Sequence, residues 1–277
     1  MANARRLLSL LSTALGRPRG FFLPYRYAAG IEPPRTPYAT LENLFREASA
    51  SMAVWLAAGE RHAASLTAIA DDAPAPEPRW RQDWFPRLDA AMAYTIVRER
   101  APKRIVEIGS GHSTRFMSRA VADATMVTNV ACIDPAPRAS LSGLPVALHR
   151  RTLQDGDDEL VAALAPGDVL FVDSSHLLIP GSDVDIVLNR LVPALPRGAL
   201  LHFHDIFLPD PYPREWAWRA YNEQSALAPL LIGGRFKILW SSHYVRTRLA
   251  ARLDGSPLGR LTLAPGALES SLWLERT

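Results

Sequence analysis

The sequence has little of what marks a secreted, membrane-spanning or nucleic-acid-binding chain. Its 277 residues include one cysteine, Cys132. A lone thiol excludes a disulfide framework, and its place in an expected strand fits a reducing compartment, so a cytoplasmic location is expected. No apolar run approaches the ~20 residues that cross a bilayer. The formal net charge of +3 is too small to argue for a nucleic-acid partner. That charge is unevenly spread. Residues 1–36 hold Arg5, Arg6, Arg17, Arg19, Arg26 and Arg35 against Glu32, a balance of +5, so the remainder carries −2. With 48% hydrophobic and 21% charged residues, the composition is that of a globular protein. The length suits one large α/β domain plus an extension.

Also lacking is a dinucleotide fingerprint. The stretch around which the chain is organised runs Arg104-Ile105-Val106-Glu107-Ile108-Gly109-Ser110-Gly111-His112-Ser113-Thr114. It reads as a buried parallel strand, a glycine turn and a helix start capped by Ser113 or Thr114. The third glycine of G-x-G-x-x-G is replaced by Thr114, and no phosphate-cradling G-x-x-x-x-G-K-[S/T] motif occurs. A carboxylate beside the turn repels a pyrophosphate but suits an ammonium group and neutral hydroxyls. An ordinary tight βα turn is the alternative. At this motif the sequence resembles the first motif of class I, Rossmann-like S-adenosylmethionine-dependent methyltransferases.

The chain before this strand is helical. Residues 1–16 read as an amphipathic basic helix that packs on the body, touches a membrane surface or makes an oligomer contact. Phe21 to Tyr38 is rich in proline and aromatic residues and reads as an extended arm. From a cap at Thr40, Leu41, Leu44, Phe45, Ala48, Met52, Trp55, Leu56, Ala63, Leu66 and Ile69 recur at helical spacing, a stripe for core or interface packing. Ala73-Pro74-Ala75-Pro76-Glu77-Pro78 is a stiff linker and the best boundary, dividing a helical extension (1–80) from a catalytic domain (81–277). The extension is free to lie away from the body, as an oligomer contact or a cover for the pocket.

After a helix over Pro86–Arg100, strand and helix patterns alternate. Strands are expected at Met126–Ile133, Pro145–His149, Asp168–Val172 and Gly198–Phe203, with helices at Asp157–Leu164 and Ser182–Leu195. Arg235–Tyr244 and Ser270–Glu275 are two late strands for an antiparallel edge hairpin. The fold class is therefore α/β: a Rossmann-like, doubly wound, mostly parallel seven-stranded sheet plus the helical extension.

Polar residues gather at strand ends. Asp134 can accept from ribose hydroxyls, or cap a turn before Pro135. Gln154 and Asp155 follow the third strand, where an amide could meet an adenine amino group, or simply make a turn. Asp173-Ser174-Ser175-His176 and His202-Phe203-His204-Asp205 close two neighbouring strands. They would bring Asp173, His176, His204 and Asp205 to one cleft, fit for moving protons or binding a metal. His202 is more simply a hydrogen-bonded core histidine.

The run Asp-Ile-Phe-Leu-Pro (205–209), Tyr212-Pro213, Trp216 and Tyr221-Asn222-Glu223-Gln224, with Gly-Ser-Gly-His-Ser-Thr and Val-Asp-Ser-Ser-His, is similar to the bacterial methyltransferase type 24 family. The likeness covers residues 84–277. It implies a donor site of Glu107, Gly109, Ser110, Gly111, Ser113, Asp134 and Gln154 for S-adenosylmethionine. It implies a reaction centre of Asp173, His176, His204 and Asp205, and a small-molecule acceptor, with O-methylation expected. Related metal-dependent enzymes hold a divalent cation with acids at these strand ends, here Asp173, His204 and Asp205. The histidine in that set argues against magnesium. Either a divalent metal, which is favoured, or a protonated histidine–aspartate network offsets the paired carboxylates. Phe207, Tyr212 and Trp216 are expected to wall the acceptor pocket. Alternative functions are a metal-dependent oxygenase or hydrolase on the same fold, or a non-catalytic nucleoside-binding scaffold.

Overall fold

The apolar run Arg104–Ile108 forms β1, near the middle of a seven-stranded sheet. The computed structural model describes residues 2–17, 20, 25–156 and 158–277. Phe21 and Phe22 of the expected arm, and Asp157 at the start of one expected helix, lie outside them. The other strands are β2 Asn129–Ile133, β3 Val146–His149, β4 Val169–Val172, β5 Leu200–Phe203, β6 Phe236–Ser241 and β7 Leu272–Arg276. Their order is β3-β2-β1-β4-β5-β7-β6. The first five are parallel, and β7 runs antiparallel to both β5 and β6. The strand order reverses between β1 and β4, where open α/β sheets bind ligands at the carboxyl ends of their strands.

Register decides which residues meet there. Ile108 lies opposite Ile133 and Val172, and Val172 lies opposite Phe203. The ladder continues one residue further: Gly109 N donates to Ile133 O, Asp173 N to Ile108 O and His204 N to Val172 O, at 2.9–3.0 Å. Gly109, Asp134, Asp173 and His204 therefore leave the sheet level with one another.

Two helices fix the sheet around β1. α5 (Arg87–Arg100) and α6 (His112–Asp123) pack together, each with an almost fully buried apolar side. Numbering from the N-terminus, the preceding helices are α1 (Ala2–Ala14), α2 (Ala39–Glu47), α3 (Ser49–Arg61) and α4 (Ala63–Thr67). The single helix expected from Thr40 is thus three pieces, broken at Ala48 and His62. Tyr38, not Thr40, precedes the first piece, with no side-chain cap.

α3 packs against α5 and β6. Leu41, Phe45, Met52, Leu56 and Leu66 belong to the same buried cluster as the strand residues. Residues 39–69 therefore complete the core of the sheet rather than lying away from it across the proline linker. The late strand also ends earlier than expected, at Ser241, because the Ser241 hydroxyl accepts from Tyr244 N and starts a helix over Ser242–Arg248. The connection to β7 runs through that helix and further helical turns, so β6 and β7 pair antiparallel without a tight hairpin.

Candidate active site

A cleft of about 720 Å³ opens over the carboxyl ends of β1, β2, β4 and β5. This is ample for a nucleoside ligand with a second small molecule. Among its lining residues are Gly109, Ser110, Gly111, Ser113, Asp134, Gln154, Asp173, His176, His204 and Asp205. All the expected site residues but one thus reach a single cavity.

The exception is Glu107. Its carboxylate is fully buried and does not line the cleft. It accepts from the hydroxyls of Ser113 and Thr114 in the first turn of α6, and the Cys132 thiol donates to it at 3.3 Å. Strand alternation is the reason: Glu107 points into a face of the sheet rather than off its end. Burial pushes its carboxyl up to about 7 against those hydrogen bonds. The expected donor contact at Glu107 is therefore replaced by a structural one, locking the glycine turn to α6. Ser113 and Thr114 serve this lock rather than preceding the helix as caps, although Thr114 Oγ1 also accepts from Gly111 N at 3.0 Å.

Gly109 has φ +80°, and a Cβ there would lie 1.8 Å from Asp173 O. Only glycine lets the β1 and β4 ends approach this closely. Gly111 has no such clash, with the nearest atom at 3.7 Å from a Cβ position. Asp134 is held from the loop side. Its Oδ2 accepts from Ser110 N and Oγ at 2.7 and 2.9 Å, and its Oδ1 from Ala136 N at 2.8 Å. Oδ1 keeps a lone pair for a ligand hydroxyl. His112 and Ser174 also line the cleft, and His112 Nδ1 and Ser174 Oγ are buried with no hydrogen-bond partner among the described residues. Burial, with Arg115 and Arg79 nearby, lowers His112 to about 4, so it is neutral at pH 7. Gln154 sits at the rim, its amide donating to Gly181 O.

At the β4 and β5 ends, two buried imidazoles face two carboxylates. His176 Nε2 lies 3.4 Å from both Asp173 Oδ1 and Asp205 Oδ2. His204 Nδ1 lies 3.5 Å from Asp173 Oδ1 and Asp205 Oδ1. Each ring is gripped from behind by a second acid: His176 Nδ1 by Glu223 at 2.9 Å, and His204 Nε2 by Asp89 at 3.1 Å. Asp89 also accepts from Ser270 N and Ser271 N, so the first turn of α5 ties β5 to the start of β7. Nothing in a helical apolar pattern marks Asp89 as part of this group. Glu223 stood in a recognised motif, but its pairing with His176, 47 residues away, is visible only in three dimensions.

Electrostatics follow from this arrangement. Burial opposes charge on both rings, but the carboxylates at either nitrogen outweigh it and raise His176 and His204 well above their ordinary value. Burial works to raise Asp173, yet the facing imidazoles hold it well below the usual carboxylate range. Burial raises Glu223 despite its bond from His176. His176 and Asp205 have φ of 60° and 56°, a left-handed backbone costly for residues with a Cβ. Strain therefore sits on two of the four expected reaction-centre positions. His202 stays outside the group. It stacks on Phe171 at 3.7 Å, bonds Ser271 Oγ, and burial lowers its pKa well below the ordinary value.

Among the described residues, no group of three or more His, Cys, Asp and Glu is placed to hold a metal ion. The nitrogens of His176 and His204 lie in ion-pair contact with the oxygens of Asp173 and Asp205, at 3.4–3.5 Å. An imidazole raised above its ordinary value beside Asp173 offsets the repulsion between neighbouring carboxylates when it carries a proton.

On the other wall stand Trp216, Arg219 and Tyr221, with the Tyr221 ring 4.6 Å from that of His176. The Arg219 guanidinium lies 4.2 Å over Trp216 and donates to Tyr221 Oη at 3.0 Å. Of the three rings expected to wall the pocket, only Trp216 does. Phe207 and Tyr212 pack behind it, Phe207 edge-on to Trp216 at 5.1 Å.

Residues 106–206 match the family profile described as a methyltransferase domain. A search of curated proteins finds no match. Among solved structures, the chain is similar to an S-adenosylhomocysteine-bound methyltransferase of Podospora anserina, PaMTH1, at 16% identity over 93% of this chain and 99% of that one, with a TM-score of 0.44. It is similar to an O-methyltransferase of Bacillus cereus at 12% identity, 81% and 91% coverage and a TM-score of 0.44. It is also similar to the O-methyltransferase TomG of Streptomyces achromogenes at 15% identity, 80% and 89% coverage and a TM-score of 0.44. The fold stands on the sheet order and register rather than on these distant likenesses. Residues 106–206 match a methyltransferase domain, and the sheet that carries them is mostly parallel and doubly wound in the Rossmann-like manner.

Proposed function

We propose that the protein methylates a hydroxyl of a small molecule at the Asp173–His176–His204–Asp205 group. The observation that carries this reading is that group itself: two carboxylates and two imidazoles in mutual contact, lining the same cleft as the glycine turn and Asp134. Asp134 holds the donor's ribose hydroxyls. The backbone around Gly109 and Gly111 would hold its chain, and the rim at Gln154 would hold its base. S-adenosylmethionine supplies an electrophilic methyl group on a sulfonium.

The residues of this chain then position the acceptor and take its proton. Asp173 and Asp205 orient the His176 and His204 rings beside the acceptor hydroxyl, and such positioning supplies much of the rate in a displacement reaction. His176, in its neutral form, would take the hydroxyl proton at Nε2 as the hydroxyl oxygen accepts the methyl group. Its proton affinity, raised by Asp173, Glu223 and Asp205, suits that task. Glu223 fixes the ring by accepting from Nδ1. His204, raised well above its ordinary value, holds the Asp173 carboxyl below the usual carboxylate range. The Trp216, Arg219 and Tyr221 wall covers the acceptor.

The test is a screen of small hydroxyl compounds with methyl-labelled S-adenosylmethionine, read by mass spectrometry, with and without a chelator. Label transfer that survives chelation and is lost in Asp173→Asn and Asp205→Asn, while S-adenosylhomocysteine still binds, supports the reading. Transfer abolished by the chelator and restored by a divalent metal would replace the histidinium with a cation. Full transfer in both variants would move the chemistry elsewhere.

A further inference from the structure

α1 is amphipathic, but it is mounted with its polarity reversed. Its half-buried residues are Ser9, Ser12 and Thr13, while Leu7, Leu8, Leu10 and Leu11 are 47–66% exposed. Leu15, just after it, is 83% exposed. A helix that packs by burying apolar surface presents the opposite face. The hydroxyls on the inner side are satisfied locally, Thr13 Oγ1 by Ser9 O and Ser12 Oγ by Arg17 O. Tyr25, Tyr27, Ile31 and Tyr38 are also exposed. Nine of the fourteen large apolar side chains exposed among the described residues thus fall before residue 39.

The same stretch is the basic part of the chain, +5 over residues 1–36 against −2 for the rest. α1 itself contains no acidic residue. Arg26 lies over the Tyr27 ring at 5.5 Å, a pairing of aromatic body and cationic tip suited to a lipid–water boundary.

We propose that α1 docks on an anionic lipid surface, with its leucines entering the headgroup boundary while the basic charge of this end of the chain draws it to lipid phosphates. Charge selects this occupant over a second copy of the chain. A self-contact through α1 brings two stretches of +5 together, whereas an anionic bilayer offers an apolar layer and opposite charge at once. α1 also lies against the Arg214–Arg219 turn, whose Trp216 and Arg219 line the cleft. Docking therefore sets one wall of the cleft at the lipid surface. The lipid contact does not depend on the methyl-transfer reading and is tested without turnover.

The test is co-flotation of the full chain with phosphatidylcholine vesicles, with and without a third of phosphatidylglycerol, at low and high salt. We expect at least roughly tenfold stronger partition onto the anionic vesicles, weakened by salt, since each basic residue near such a surface contributes several-fold. The double variant Leu8→Ser/Leu11→Ser should lose roughly tenfold on the same vesicles, and Arg17→Gln should lose several-fold on anionic vesicles only. Unchanged S-adenosylhomocysteine affinity and circular dichroism show that the variants remain folded. Two results overturn the proposal. One is no partition of the wild-type chain at low salt. The other is a dimer in light scattering that the leucine variant converts to monomer while vesicle binding stays absent.

Discussion

Replacing Glu223 by glutamine removes one charge from behind His176 while keeping its shape. In the structure Glu223 Oε2 accepts from His176 Nδ1 at 2.9 Å, and Oε1 has no hydrogen-bond partner among the described residues. A glutamine can put its oxygen in the first position and its amide nitrogen in the second, so the ring keeps its acceptor and its tautomer. What changes is the charge that holds a proton on His176. An opposite charge at this distance shifts a pKa by about 1–3 units. Asp173 and Asp205 remain at 3.4 Å, so the lower end, about 1 unit, is expected. The sign follows from the proposed role. His176 is charged below its raised pKa and must be neutral to take a proton, so kcat rises with pH through a midpoint well above 6.5. Glu223→Gln should move that limb about one unit to lower pH and lower the plateau modestly, because a weaker base takes the proton less readily. Glu223→Ala, which leaves Nδ1 without an acceptor, should cut kcat at every pH by about a hundredfold, the low end for a lost general base. The assay is a pH–rate profile, supported by nitrogen NMR of the imidazole. A limb that stays in place in Glu223→Gln, with wild-type rates throughout, would show that His176 is not the titrating base.

Three further outcomes follow from the same geometry. Asp134→Ala should weaken S-adenosylhomocysteine binding by about 1.5–3 kcal/mol, the range for hydrogen bonds to a charged group, as read by calorimetry. An unchanged affinity would leave Asp134 as a brace for Ser110 alone. Gly109→Ala should cost about 3 kcal/mol or more in urea denaturation, since its Cβ meets Asp173 O at 1.8 Å and its φ is +80°. A stability within 1 kcal/mol of wild type, well inside the ~3 kcal/mol expected, would contradict the close approach of β1 and β4. Arg87→Ala strips the buried Glu269 of its bidentate partner at 2.9 and 3.0 Å and should cost about 3–5 kcal/mol, checked by thermal and urea unfolding; Lys at this position should recover only part of it.

The sheet was legible because its strands are short apolar runs, each closed by a polar residue at the end where the ladder stops. Ile108, Ile133, Val172 and Phe203 share one register, so residues read separately along the chain as Gly109, Asp134, Asp173 and His204 meet at one level. Glu107 was misplaced for a reason of parity. It sits one residue before the strand end, so its side chain turns into the sheet and meets Ser113 and Thr114 instead of a ligand. The linker at 73–78 reads as a boundary because proline ends a helix, but local stiffness says nothing about whether the segments on either side share a core. Phe45, Met52 and Leu56 do share one with the sheet. The rear partners Asp89 and Glu223 were hidden because contacts between residues over a hundred or nearly fifty positions apart leave no local pattern. With Glu223 behind one ring and Asp89 behind the other, and with Asp173 and Asp205 in front, both imidazoles are raised well above their ordinary value.

The measurement that bears most directly on the central claim is a crystal structure with S-adenosylhomocysteine bound. The account predicts ribose hydroxyls on Asp134, the base near the rim at Gln154, and the sulfur facing the Asp173 and Asp205 carboxylates, with His176 and His204 still paired to Glu223 and Asp89. A ligand seated away from the β1 and β4 ends, or a sulfur turned away from that carboxylate pair, would contradict it.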